Sequence, residues 1–228
     1  MVKLKSRYDE AESNQSKYCY PGTDILINKL DIKNQEELDV AERRITTLML
    51  TELQVTPLPT PNKLFSADYY LSLHKKVFSL IYSFAGETRN ENITKGNTPF
   101  CRPEFIYNYL SDTLNTMAKK MTRVETREDI TSWLADCYGE LNIIHPFREG
   151  NGRIAREFLR ESVECMDEHL GFNYELDFSN VTEHSSKNFM NASIISAIRC
   201  DNTPLKEFFD SILKEKNNEK VDQTKKGR

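Results

Sequence analysis

The residues of this sequence best equipped for chemistry lie together in the stretch IIHPFREGNGRIAREF, residues 143–158. His145 can accept a proton near neutral pH, which suits a general base. Glu149 is an acid, and Arg153 and Arg156 carry permanent positive charge. The two arginines are three positions apart, so on a helix they share one face and can reach one anion.

The glycines between the acid and the arginines favour an anion site. Gly150 and Gly152 flank Asn151, and their lack of side chains lets a ligand approach the backbone closely. The first N–H groups of a following helix point outward, so this glycine-rich turn has the geometry of an anion-binding site. Glu149 beside such a site is most simply explained as a ligand of Mg²⁺. Together these residues indicate phosphoryl or nucleotidyl transfer, with His145 activating a hydroxyl.

Each of these features, taken alone, is most often structural. A histidine after a helix, a glycine-rich turn and an arginine pair all occur without any ligand. Their occurrence in one ordered run is what favours a site over three unrelated structural details.

The elements on either side must hold this run as a loop. Glu128 to Ile144 carries an apolar stripe at helical spacing. Pro146 disfavours the helical region for His145, so this helix should end there and HPFREGNG should form a loop. The next helix is expected from about Gly150 to His169, which places the loop between two packed helices.

The remaining pattern predicts an all-α domain with one small hairpin. Apolar residues at helical spacing predict helices over 35–53, from Ser66 onward, from Pro103 to about Met121, over 186–199 and over 203–215. His74 falls on an apolar helix face and is expected to be a core residue. The polar segment 86–100 contains the turn Lys95-Gly96-Asn97, which predicts a short hairpin.

Composition places the chain among ordinary soluble domains. It has 228 residues, 38% of them hydrophobic and 29% charged, with a formal net charge of −4. This charge gives no reason to expect nucleic acid as a partner. Five scattered cysteines without a CxxC pair favour a reducing compartment over disulfides or a zinc site. No membrane span or signal peptide is expected, so we predict a cytoplasmic location.

The loop also carries a family resemblance. HPFREGNGRIAR resembles the signature of the Fic-domain family, HxFx(D/E)GNGRxxR, and matches it at every specified position. The stretches YPGTDILINKL, SFAGETRNENITKGNTPF and NASIISAIRCDNTPLKEFF resemble the family's lead-in, flap segment and C-terminal helices. The resemblance covers roughly 18–213, with the flap at about 89–100 and the signature loop at 145–156. Residues 1–17 and 214–228 remain as polar end segments.

The resemblance implies a compact helical fold and a specific reaction. Most characterised Fic proteins transfer AMP from ATP to a hydroxyl of a target protein and release pyrophosphate. By position, His145 would be the general base, Phe147 a buried anchor of the loop and Glu149 the Mg²⁺ ligand. Arg153 would steady the phosphates, and Arg156 would hold the γ-phosphate.

The other positions of the signature and the flap also carry over. Gly150, Asn151 and Gly152 would form the anion hole for the phosphates of ATP. The flap near Lys95 and Gly96 would line the phosphate site and dock the target segment by backbone pairing.

Other activities of the fold have to be weighed against AMP transfer. Doc-type kinases of this fold carry lysine at the position of Gly152, so the glycine favours AMP transfer. A relative that transfers phosphocholine also exists, and other phosphate-containing donors are therefore possible. A third alternative is an inhibited toxin or interaction module of a toxin–antitoxin pair, or an effector delivered to a host cell.

Control of activity is a separate question. Many Fic proteins carry an inhibitory helix with the pattern (S/T)xxxE(G/N), whose glutamate pairs with the second arginine, here Arg156. Ser6 to Glu10 is followed by Ala11, and Ser211 to Glu215 is followed by Lys216, so both are near misses. We therefore expect external control by a separate antitoxin-like protein.

Overall fold

A computed structural model of the chain describes residues 9–10, 16–95, 98–178 and 182–216. This part contains eight α-helices and five short strands, which confirms the predicted mostly helical fold. The helices are α1 (Gln35–Gln54), α2 (Pro61–Leu64), α3 (Ala67–Phe78), α4 (Ile106–Met121), α5 (Arg127–Ile144), α6 (Asn151–Leu170), α7 (Glu183–Arg199) and α8 (Thr203–Ile212). The strands are β1 (Asp9–Glu10), β2 (Ile93–Lys95), β3 (Thr98–Pro99), β4 (Tyr174–Leu176) and β5 (Leu213–Glu215).

Side-chain caps explain where several helices begin. Asn34 accepts a hydrogen bond from the backbone N–H of Glu37, and Ser66 accepts one from that of Tyr69. Thr126 and Asp129 form a reciprocal capping box at the start of α5. These polar residues satisfy N–H groups that have no partner within the helix. The predicted opening of a helix at Ser66 is confirmed.

Helix α5 forms the centre of the core. It packs against α4, α6, α7 and α8. Its predicted apolar stripe, which includes Ile130, Leu134 and Leu141, is buried. Trp133, also on α5, donates from Nε1 to the carbonyl oxygen of Met117 on α4 at 2.9 Å. Because α5 is held on several sides, the loop that follows it starts from a fixed point.

The predicted hairpin is formed by β2 and β3, which pair antiparallel with Thr94 opposite Pro99. Its turn residues Gly96 and Asn97 lie outside the described part of the chain. Strand β1 pairs antiparallel with the other edge of β2, and Glu10 lies opposite Ile93. A strand in this N-terminal segment was not predicted.

The last predicted helix is too long in our sequence analysis. Helix α8 ends at Ile212, not at Glu215, and the next three residues form β5, which pairs antiparallel with β4. Leu213 is buried there at 2% exposure, so burial and strand pairing outweigh the helical spacing. Lys216, the next residue, pairs with Asp167 on α6. Asp167 lies about three helical turns after Arg156, so this end of the chain is held away from Arg156.

Both near misses of the inhibitory-helix pattern have their glutamate in a strand. Glu215 lies in β5 and Glu10 lies in β1, so neither glutamate is presented by a helix. Ser6 lies outside the described residues. Within the described ranges, no helix is long and apolar enough to cross a bilayer.

Candidate active site

The loop begins where α5 ends, at His145. This residue is the C-cap of the helix and has left-handed backbone angles, φ 46° and ψ 60°. Such a conformation is uncommon for a residue other than glycine and needs support from its surroundings. The predicted helix end before Pro146 is confirmed, and the His145 side chain is buried beside a cavity.

Two contacts orient the His145 ring. Its Nδ1 lies 3.2 Å from the carbonyl oxygen of Asn142. Since a carbonyl can only accept, Nδ1 is the protonated nitrogen, and in the neutral ring Nε2 carries the lone pair. The ring stacks on Phe100, which follows the hairpin, with centroids 3.9 Å apart. His145 is therefore held in the tautomer that suits a base acting through Nε2.

Phe147 and Asn151 anchor the middle of the loop. Phe147 is fully buried and stacks with the rings of both His74 and Tyr70. The Asn151 amide accepts from the backbone N–H of Phe147 at 2.8 Å and donates to its carbonyl at 2.7 Å. Both polar groups of the Asn151 side chain are therefore used to hold the loop. Only the backbone N–H of Asn151 remains for the predicted anion hole.

His74 is a core residue, as expected, and it also ties the loop to the flap segment. Its Nε2 donates to the carbonyl of Glu149 at 3.0 Å, and its Nδ1 accepts from the N–H of Gly86 at 2.8 Å. Burial lowers the pKa of His74 to about 3, so the ring stays neutral at physiological pH. The tie to the flap was not predicted.

Gly150 is required by its conformation and by its neighbours. It is the N-cap of α6 with φ 84°, and a Cβ built there would lie 2.3 Å from Cζ of Phe78. A Cβ on Gly152 would lie 3.3 Å from Nη1 of Arg156. The two glycines therefore let the start of α6 approach Phe78 and Arg156 closely. The first backbone N–H groups of α6 have no partners within the helix.

Arg153 and Glu149 form part of a polar network that reaches α1. The Arg153 guanidinium pairs with the buried carboxylate of Glu42 and lies 3.8 Å from Glu149 Oε1. It also donates to Thr46 Oγ1 at 3.3 Å. Tyr82 donates its hydroxyl to the same Glu42 carboxylate. Glu42 lies 111 positions before Arg153, so sequence spacing could not indicate this pair.

Arg156 has a different environment. It lines a cavity of about 480 Å³ together with His145, Asn151 and Gly152. Among the described residues, no carboxylate lies within ion-pair distance of it. Burial, together with repulsion from Arg153, keeps the pKa of Arg156 below its usual value. A partly buried guanidinium without a counter-charge, facing a cavity, suits the binding of an anion.

The opposite wall of the cavity is apolar. It is formed mainly by α7, through Phe189, Met190, Ile194 and Ile198, with Tyr138 from α5. Asn191, the residue after Met190, does not line this cavity but lines a separate groove between α7 and α8. The cavity thus joins a polar end, which suits phosphates, to an apolar end, which suits a ring system.

The predicted site residues are not all equally placed. Four of them, His145, Asn151, Gly152 and Arg156, line the cavity, whereas Glu149, Gly150 and Arg153 are not part of its lining. Lys95 is described only as part of β2, and Gly96 lies outside the described residues.

A metal ion would have few protein ligands here. Within the described ranges, no group of three or more His, Cys, Asp or Glu residues could hold a metal ion. Mg²⁺ at nucleotide sites is usually held by one or two carboxylates together with phosphate oxygens. Glu149, which immediately precedes the N-cap of α6, fits that requirement as a single protein ligand.

Comparison with known proteins identifies the family. The Fic/DOC family model matches residues 64–161. The "Probable protein adenylyltransferase y4lH" of Sinorhizobium fredii is 35% identical over 180 residues, which are 78% of this chain and 86% of that protein. The chain belongs to the Fic/DOC family.

Other relatives and solved structures of this Fic-family chain agree. The "Probable protein adenylyltransferase Fic" of Escherichia coli strain K12 is 27% identical over 208 residues, 91% of this chain and 96% of that protein. The structure of BepC from Bartonella tribocorum, with bound AMPPNP, superposes with a TM-score of 0.75 at 24% identity. It covers 88% of this chain and 97% of its own, and shows the same fold. The predicted enzyme class, a nucleotidyltransferase of the Fic type, is confirmed.

Proposed function

We propose that this Fic-family enzyme transfers AMP from ATP to a serine, threonine or tyrosine hydroxyl of a target protein and releases pyrophosphate. One observation carries the proposal. A single cavity has a histidine held in the right tautomer, a partly buried arginine without a carboxylate partner among the described residues, and an apolar wall. The histidine suits a general base, the arginine suits a polyphosphate, and the apolar wall suits an adenine ring.

In this reaction the target hydroxyl oxygen attacks the α-phosphorus of ATP. His145 Nε2 takes the hydroxyl proton, and the bond between the α-phosphorus and the bridging oxygen of pyrophosphate breaks. Arg156 holds the γ-phosphate, and the backbone N–H groups of Asn151 and Gly152 hold the phosphate next to it. Arg153, fixed by Glu42, would steady the phosphates through its remaining N–H donors.

Glu149 would hold Mg²⁺, which neutralises phosphate charge when bound. This role is compatible with its position, because Oε1 is already oriented by the backbone N–H of Gly150 at 2.9 Å. The adenine ring would lie against Met190 and Ile194 on α7.

The hairpin of β2 and β3 would receive the target segment. Phe100 at its end stacks on His145, so a strand paired with the hairpin is brought close to the base. Lys95 and Gly96 at the hairpin turn would contribute to the phosphate site.

Gly152 favours AMP transfer over phosphorylation, because Doc-type kinases carry a lysine at this position. A different phosphate-containing donor is the main alternative within the same site. Labelling at the α-phosphate and at the γ-phosphate of ATP distinguishes these reactions.

Control is proposed to be external. The observation that favours it is Arg156, which has no carboxylate within ion-pair distance among the described residues. A separate antitoxin-like protein could supply that carboxylate, and the chain would then be the toxin of a pair acting in the cytoplasm. Replacing Glu215 by glycine should leave activity unchanged, and a gain of activity would contradict this.

The test uses the purified chain with Mg²⁺, a cell lysate and ATP labelled at the α-phosphate. Label on protein that is absent with His145→Ala supports the proposal, provided that the variant melts at the same temperature as the wild type. Label from γ-labelled ATP instead would indicate a kinase. Absence of both labels, in a chain that binds ATP, would contradict AMP transfer to the proteins of that lysate.

A further inference from the structure

Each of the last four carbonyl groups of α5 has a hydrogen-bond partner. The last carbonyl groups of a helix have no partner within it and must find one elsewhere. The carbonyls of Leu141 and Asn142 accept from His145 itself, through its backbone N–H and its Nδ1. The carbonyl of Ile143 accepts from the backbone N–H of Cys101 at 3.0 Å. The next three carbonyls all accept from one residue.

That residue is Arg89, from the segment that leads into the hairpin. Its Nε donates to the carbonyl of His145 at 2.9 Å, and its Nη2 lies 3.4 Å from that of Ile144. Its own backbone N–H donates to the carbonyl of Pro146 at 2.8 Å. The Arg89 side chain is 1% exposed. A buried cation at the negative end of a helix is also favourable electrostatically.

The same guanidinium holds both sides of the flap. Its Nη1 donates to the carbonyl of Glu91, which precedes β2, at 2.6 Å. Its Nη2 donates to the carbonyl of Cys101, which follows β3. Arg89 therefore joins three backbone segments: the helix end that carries His145 and the two ends of the hairpin.

We propose that Arg89 is a positioning residue, which holds His145 in its left-handed conformation and fixes the flap to it as one unit. The inference rests on the proposed function and extends it to a residue outside the signature loop. Without Arg89 the base and the docked hydroxyl would no longer keep a constant separation, and AMP transfer would slow without loss of ATP binding.

The geometry explains why the residue is an arginine. The guanidinium is planar and carries five N–H donors in a fixed fork, and here it serves four carbonyls in three directions. A lysine keeps the charge and the aliphatic stem but offers one compact ammonium group. The variant Arg89→Lys therefore separates the geometry of the fork from its charge.

Arg160 offers a matched control. It is a largely buried arginine on α6, held by Glu157 and Glu164, and it does not line the cavity. The experiment compares R89K and R89Q with R160K and R160Q, each measured at the same interval below its own melting temperature. The readouts are kcat and KM for ATP with α-labelled ATP, and the imidazole ¹H–¹⁵N spectrum. The chain has four histidines, so a His145→Gln sample assigns the His145 signals.

We expect R89K to lower kcat by about 100-fold while KM for ATP stays within about threefold of the wild type. The His145 spectrum should change from a single Nδ1–H tautomer to an average of both. R160K should change neither readout. If R89Q does not fold, R89K alone carries the test, because it preserves the charge and the stem.

Two results would overturn the inference. One is an R89K variant that keeps kcat within about threefold together with the wild-type tautomer. The other is a loss of kcat that R160K reproduces at equal loss of melting temperature. If the wild type transfers no AMP, the proposed function fails by itself, and the His145 spectra of the same variants still decide the role of Arg89.

Discussion

Two arginines one turn apart on α6, Arg156 and Arg160, have opposite surroundings. Arg160 donates to Glu157 at 2.8 Å and to Glu164 at 2.6 Å, and it lies 4.0 Å from Glu161. Burial disfavours its charged form, but attraction to Glu157 and Glu164 outweighs this and raises its pKa. Arg156 lines the cavity, and burial lowers its pKa.

The comparison distinguishes a structural cation from a binding cation. Carboxylates of the same helix compensate Arg160, so removing it leaves the buried Glu157 without its ion-pair partner. Arg156 has no such compensation in the described part of the chain, and an anionic ligand would supply it. The same residue type on one helix can therefore serve stability in one turn and binding in the preceding one.

The largest effect is expected from Arg156→Gln. AMP transfer should fall by about 100- to 1,000-fold, since a donor to the phosphates is lost in a buried site. Stability without ligand should be unchanged or slightly higher, because a partly buried charge without a counter-charge is removed. The two readouts are kcat/KM from α-labelled ATP and the melting temperature. A large fall in melting temperature would contradict the assignment of Arg156 to binding.

Arg160→Gln should show the reverse. We expect a loss of about 3 kcal/mol in the free energy of unfolding, because the buried carboxylate of Glu157 loses its partner. ATP affinity should be unchanged. Urea denaturation and calorimetric titration with ATP measure the two quantities. Equal loss of ATP affinity in the Arg156 and Arg160 variants would remove the distinction.

The excess of carboxylates around Arg160 should appear as a pH dependence of stability. Burial, then repulsion from Glu157, raises the pKa of Glu161 to about 7 despite its hydrogen bond with Tyr69. A carboxyl whose pKa is higher in the folded state binds more protons there than in the unfolded chain. Its contribution to stability is therefore present below the unfolded pKa, about 4.3, and is lost as pH rises toward 7.

The matched variant is Glu161→Gln, which keeps the size and a hydrogen-bonding group beside Tyr69. Relative to this variant, the wild type should lose about 2 kcal/mol of unfolding free energy between pH 5 and pH 8. Urea denaturation across this range measures the difference. Parallel pH profiles for the two proteins would show that Glu161 titrates normally.

The smallest effect is expected from giving Arg156 a partner of its own. Ile194 lines the cavity from α7 and is 42% exposed, so Ile194→Glu places a carboxylate in the cavity. ATP affinity should fall about tenfold, which corresponds to about 1.4 kcal/mol. Ile194→Gln is the control, since it has the same shape without the charge. Equal ATP affinities of the two variants would contradict a role for charge at Arg156.

Local signals in the sequence were sufficient for most of the fold. Ser66 and Pro146 mark a helix start and a helix end that depend only on neighbouring backbone groups, and both were predicted. The hairpin followed from its turn residues. The overlong last helix shows the limit, because the burial of Leu213 and its pairing with β4 depend on residues nearly forty positions away.

The supporting residues of the site could not be predicted for the same reason. Glu42, His74 and Arg89 act on the loop through contacts with residues that are distant in sequence. A buried glutamate in α1 or an arginine before a hairpin has no distinctive pattern of its own. Their roles became visible only once the partners of each buried polar group were known.

The sequence by itself determined which groups are available and in what order: His145, then the acid, the glycines and the two arginines, on a loop bounded by helices. It did so because backbone preference and helical spacing are local properties. Only the tertiary structure decided that Arg153 is compensated by Glu42 while Arg156 faces the cavity. The physical reason is that a charge is compensated by whatever the fold brings within a few ångströms, and the chain order does not contain that distance.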